Sequence, residues 1–208
     1  MLTTAPSDDR TARRTARRPA PVMSPPVRKT VLTLHVVISV GWLGLDLGLL
    51  CLGITALTTG DPEMLRASYL AMDVFGDVLI VPLSLGALLT GVLLCLGTPW
   101  GFLRYRWVLI KLVTTLAAVA ASVLALRPHI ETAATAVSKT LPAELLSLDL
   151  DGVDRVLVVA PSVALALYVL NTALSVFKPF GRTAYGRRRA ARPDRVAGPR
   201  PATAPPSP

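Results

Sequence analysis

VLTLHVVISVGWLGLDLGLLCLGITAL, residues 31–57, decides the fold. Asp46 is the one formal charge in this run, with His35 the one other titratable group near neutral pH. About 20 apolar residues in helical form cross a hydrocarbon layer about 30 Å thick, so a run of this length reads as a membrane helix. Outward from it, three more blocks repeat the pattern, at about 74–96, 107–126 and 156–177. Pro82 and Pro161 interrupt two of them, which lipid-embedded helices tolerate where neighbouring groups satisfy the freed backbone. The remaining segments lack the apolar residues for a soluble core. The expectation is an all-α, integral membrane four-helix up-down bundle over 30–178, between a disordered basic N-terminal tail, 1–29, and a basic Pro-rich C-terminal tail, 179–208.

The charge pattern orients this bundle. Of the 22 Lys and Arg, seven precede residue 30 and eight lie from Lys178 onward. The short 97–106 turn adds Arg104 and Arg106, with Lys111 just beyond. Residues 58–73 set Arg66 against Asp61, Glu63 and Asp73. The long outer loop, 127–155, sets Arg127, Lys139 and Arg155 against Glu131, Glu144, Asp149, Asp151 and Asp154. Basic residues collect on the cytoplasmic side of membranes, so both termini are expected there, which requires an even number of spans. The net charge of +9 therefore reads as topology and as contact with anionic lipid. It does not read as nucleic-acid binding, since neither tail carries the aromatic residues that stack on bases. The Arg, Ala and Pro bias suggests a bacterial cell membrane as the location.

Trp42, Trp100, Phe102, Tyr105 and Trp107 read as aromatic anchors at the membrane boundary. Cys51 and Cys95 fall near opposite faces and read as small, buried, unpaired residues. Twin arginines at 13–14 and 17–18 precede an apolar run too long for a cleaved signal.

Polar residues inside a span are costly, and that makes them functional pointers. At 100° per residue, His35, Ser39, Trp42 and Asp46 share one stripe of the first helix. Gly41, Gly44 and Gly48 share the opposite one, a small-residue face suited to packing within the bundle or to a homo-oligomer. Asp46 and Asp77 reach similar depths near the outer face. With Asp73 they form a candidate carboxylate cluster, able to hold a cation, share a proton, or pair with Arg127 or Arg155. With His35 they are the candidate metal ligands. Near the inner face His35, Lys111 and Asn171 are expected at one depth, a candidate cofactor site for haem or copper, or a proton relay. His129 lies about a membrane thickness from His35, so the two do not share a metal within one chain. There is no CxxCH, HExxH, Gly-rich phosphate loop or nucleophile elbow.

Several of these residues stand in short ordered segments. They include Leu34-His35, Gly41-Trp42-Leu43-Gly44, Tyr69-Leu70-Ala71-Met72, Ile80-Val81-Pro82-Leu83-Ser84-Leu85 and Leu88-Leu89-Thr90-Gly91. Further along come Leu96-Gly97-Thr98-Pro99-Trp100-Gly101, Arg104, Trp107-Val108-Leu109-Ile110-Lys111, Lys178-Pro179, Gly181, Thr183 and Tyr185-Gly186. Together they resemble a family of uncharacterised integral membrane proteins known chiefly from actinobacteria, over roughly 32–186. The family implies no activity. A fainter likeness, carried by His35, Trp42, Gly44, Trp107 and Lys111, is to copper-resistance D-type proteins and the J-type protoporphyrinogen oxidase. It implies a first-span histidine associated with haem or metal. The region of the third helix where a second ligand is expected offers Ala125, Leu126 and Arg127.

Three functions follow as expectations. The first is a non-enzymatic membrane module for transport, partner binding or an envelope role. The second is a haem- or copper-associated redox protein using His35. The third is a cation or proton pathway using Asp46 and Asp77.

Overall fold

The computed structural model describes residues 23–98, 105–179, 181, 183, 184 and 187. Residues 1–22, Trp100, Phe102, Arg104 and most of the C-terminal tail lie outside them, and so do the expectations made there. The chain is all-α, with four helices each long and apolar enough to cross a membrane. They are α1 (Pro25–Thr58), α2 (Pro62–Gly97), α3 (Arg106–Lys139) and α4 (Val153–Phe177). Each packs on its neighbours in the order α1, α2, α3, α4 and back to α1. An even number of antiparallel helices puts the start of α1 and the end of α4 at one end of the bundle. That end is called the tail end here, and the opposite one the cap end.

Local chemistry sets the helix boundaries. Pro25 and Pro62 stand in first turns, where a missing N–H costs nothing. Asp61 caps α2 by accepting from the Glu63 N–H at 3.0 Å. Before α4 the chain turns through Asp151 at φ 53° and Gly152 at φ 82°, and the second position suits glycine's lack of a Cβ.

Most side chains on the spanning parts point outward and are apolar, for example Val40, Leu47, Leu89, Val113, Leu116 and Val169. Helices that are apolar on every side belong in lipid. The core within the bundle is built from Trp42, Leu45, Leu49, Met72, Ile80, Leu126, Ile130 and Leu157. Trp42 is only 4% exposed, with its ring edge-on to Tyr168 at 5.5 Å between centroids. The boundary-anchor reading of Trp42 is therefore corrected: the indole packs between α1 and α4. Cys51 and Cys95 are both free, but neither is buried as expected: Cys51 is exposed and Cys95 half-buried.

Three helices overrun the expected spans. α1 begins at Pro25, so residues 25–29, expected within the disordered tail, are its first turns. The other two overrun at the cap end. At 1.5 Å per residue, the 36 residues of α2 extend about 54 Å and the 34 of α3 about 51 Å, well beyond a hydrocarbon layer. Residues 62–73 and 127–139, expected as loop, are helical. Here the pattern becomes amphipathic. Leu65, Ser68, Tyr69 and Met72 on α2, and Ile130, Ala133, Ala134 and Val137 on α3, turn inward at helical spacing. Glu63, Glu131, Thr135 and Ser138 face outward. These two segments pack on each other and, with a 3-10 turn at Pro142–Ser147, make a cap on the bundle. Arg66 ties it together, donating from Nη2 to the Thr140 carbonyl at 2.6 Å.

Prolines do not end α2 or α3, because a π-turn precedes each. Gly76–Ile80 leads to Pro82 and Ser122–Leu126 leads to Pro128. A proline ring collides with the carbonyl four residues back. That carbonyl belongs to Val78 or Leu124, inside the wide turn, and the wider winding makes the room. In α4, Pro161 leaves the Leu157 carbonyl without its helical donor. Gly53 of α1 meets α4 there: a Cβ on Gly53 would stand 2.8 Å from the Leu157 carbonyl oxygen. Of the glycines of α1, Gly53 is thus the one set against the backbone of another helix. Around Gly44 and Gly48 there is open space, and Gly41 has only the end of Leu83 nearby.

Candidate functional site

Polar side chains sit at three levels inside the bundle. At the tail end, α1 and α2 enclose His35. Its Nδ1 lies 2.8 Å from the Thr90 hydroxyl oxygen. Thr90 has one hydroxyl proton and donates it within its own helix, to the Gly86 carbonyl at 2.7 Å. The Thr90 oxygen is then placed to accept from His35 Nδ1, and the ring also bonds to the Ala87 backbone. Gly91 makes space for the ring, since a Cβ there would approach His35 Cε1 to 3.3 Å.

Across the bundle at this end, α3 and α4 share a hydrogen-bonded chain. Lys111 Nζ donates to Ser175 Oγ at 2.5 Å, and Ser175 Oγ donates to the Asn171 carbonyl at 2.9 Å. Thr114 Oγ1 lies 2.9 Å from Asn171 Oδ1. Lys111 and Asn171, expected at one depth, thus belong to one cluster, with Thr114 and Ser175 as members that sequence reading missed. His35 is close enough to Lys111 to interact electrostatically. Among the described residues, no carboxylate pairs with Lys111.

Asp46 occupies the middle level. It is 1% exposed, and its Oδ2 has no hydrogen-bond partner. The hydroxyl of Tyr168, on α4, is also buried without a partner and lies within electrostatic range of Asp46. Ser84 and Ser122 are buried from the facing helices. Burying a polar group with no partner costs about 1–3 kcal/mol by protein mutational data, so two such groups near each other mark a departure from stability-driven packing. Tyr168 was not singled out from the sequence, because a tyrosine at a span's midpoint carries no signal until Asp46 is found opposite it.

At the third level, where the cap begins, Arg127 gathers the acids. It pairs with Asp77, with Asp73 at 3.2 Å and, one helical turn on, with Glu131 at 3.7 Å. Gly76 permits the approach, since a Cβ there would meet Arg127 Cδ at 3.2 Å. Of the partners expected for Asp73 and Asp77, it is Arg127 that holds them. The structure does not gather Asp46, Asp77 and His35 into a ligand set. Among the described residues, no three His, Cys, Asp or Glu side chains converge as metal ligands would. For haem or copper, the tail end of one chain offers the imidazole of His35 as a nitrogen ligand. His129 is directed elsewhere, donating from Nδ1 to the Ala125 carbonyl at 2.7 Å.

No protein-family model, curated protein or solved structure matches this chain.

Proposed function

We propose that this chain is a non-enzymatic multi-pass protein of a bacterial cell membrane, with both basic tails in the cytoplasm, that passes protons or a small cation through its bundle by way of Asp46. One observation carries the reading: a carboxyl 1% exposed, with a partnerless oxygen, in electrostatic range of an equally partnerless tyrosine hydroxyl. An intramembrane carboxyl with no fixed counter-ion has two ways to lower its cost, taking up a proton or taking up a cation. Polar groups stand above and below it. Arg127 with its acids lies toward the cap, and His35, Thr90 and Lys111 lie toward the tails. Asp77 enters as part of the charged entrance held by Arg127. Anionic lipid at the tails fits their charge. The open, outward stripe of Gly41, Gly44 and Gly48 suits a second copy of the chain.

The test is flux in proteoliposomes loaded with a pH-sensitive dye under an imposed potential. Wild-type protein is expected to acidify the lumen faster than empty vesicles, and Asp46→Asn, folded by circular dichroism, to fall to the empty-vesicle rate. Equal rates for Asp46→Asn and wild type would remove Asp46 from the function.

A second reading rests on the half-buried imidazole of His35 at the tail end and on the likeness to copper-resistance D-type proteins and the J-type oxidase. It makes the tail end a docking place for haem or copper, with Lys111 beside an acidic group of the ligand. Protein purified from its native host would then show a Soret or copper absorption band that His35→Ala abolishes. A colourless, metal-free preparation would exclude it.

A further inference from the structure

A cleft of about 190 Å³ opens at the cap end, where the last turn of α1, the start of α2, the start of α4 and the segment before α4 meet. Its apolar wall includes Leu57, Leu65 and Leu145. Its polar wall carries Tyr69, Asp149 and Asp154. Tyr69 is 3% exposed, and among the described residues nothing hydrogen-bonds to its hydroxyl, which leaves that group directed to the cleft. Asp154 is near enough to Tyr69 to interact electrostatically. One oxygen of Asp149 accepts from the Asp151 N–H at 2.9 Å, and its other oxygen is left over. Among the described residues, the ion pairs all belong to Arg127, so no Lys or Arg neutralises either aspartate.

We infer that this cleft binds a small organic ammonium ion. Two carboxylates and a phenol oxygen supply acceptors for the three N–H donors of a primary ammonium. The accessible lining is mostly polar, with a leucine margin that a short hydrocarbon body reaches and a bare, fully hydrated inorganic cation does not. The size agrees, since a cavity of about 150 Å³ holds a benzene-sized molecule. The site is separate from Asp46: Ala56, on its wall, lies ten residues further along α1, about 15 Å.

Titration of the full chain in detergent micelles with n-butylammonium, followed by calorimetry, tests this. Wild type should bind it and should bind 1-butanol, of the same size but neutral, at least tenfold more weakly. Asp154→Asn keeps a hydrogen-bonding group at the start of α4 and should weaken amine binding at least tenfold. Tyr69→Phe should weaken it a few-fold with the melting temperature unchanged. Absence of binding to wild type, equal affinity for butanol, or full affinity in Asp154→Asn would each overturn the assignment.

Discussion

Gly53→Val should separate α1 from α4 and lower the melting temperature of the detergent-solubilised protein more than the same change at any other glycine of α1. A Cβ at residue 53 falls 2.8 Å from the Leu157 carbonyl oxygen and 3.3 Å from its carbon, and backbone atoms yield little. Two effects compete at such a site. Replacing glycine within a helix gains up to about 1 kcal/mol in propensity when alanine is introduced, and less for valine. Overpacking costs about 1–3 kcal/mol, and here the obstacle is backbone rather than the flexible end of a side chain. The cost wins for Gly53→Val. At Gly44 and Gly48, with open space around them, the gain wins, and alanine there should leave the melting temperature unchanged or higher. Melting followed by circular dichroism or size exclusion separates these outcomes. A Gly53→Val protein as stable as wild type would show that the two helices do not touch where Pro161 frees the carbonyl.

Asp46→Val should stabilise the protein while abolishing ion passage. Among branched apolar side chains valine is nearest aspartate in volume, so the space at residue 46 is refilled with little overpacking, whereas the larger leucine would strain it. What is removed is a buried carboxyl whose Oδ2 has no partner. Protein mutational data put the relief at about 1–3 kcal/mol. For a chain of this size that is a rise of roughly 5 °C in melting temperature. Such a gain is expected where a residue is kept for activity at a cost in stability. A clear fall would mean that the carboxyl holds the bundle together, and the flux reading would lose its foundation.

Much of this architecture is legible from residues 31–57 and the three later blocks, because a bilayer demands long apolar runs and the chain supplies four. The overrun of α2 and α3 is not. Charges at Asp73, Arg127 and Glu131, with Pro128 among them, resemble the end of a helix until a π-turn is seen to absorb the proline and Arg127 to bind the acids. The glycine stripe was legible, but not which glycine meets another helix. That depends on Pro161, more than 100 residues away, baring a carbonyl opposite Gly53. Trp42 read as a boundary residue because tryptophan favours interfaces. It is buried because Tyr168 offers its ring a partner in the bundle. At the candidate sites, the costly residues His35, Asp46 and Lys111 stood out alone. Their inexpensive neighbours Thr90, Tyr168 and Ser175 did not, since hydroxyl side chains are tolerated in spans without a functional reason.

A π-turn accommodates one residue more than an ordinary helical turn, so it sets the angular phase of everything beyond it back by about 100°. Both α2 and α3 carry such a turn, close to where Arg127 locks the two together. A helical wheel drawn through either helix as one uninterrupted rod therefore points the cap's inward residues the wrong way. Losing a single residue from one turn would rotate Leu65 and Met72 away from Ile130 and Val137, and losing one from each would turn both faces aside rather than restore them. In related chains, the chain length through each of these two turns should therefore be fixed.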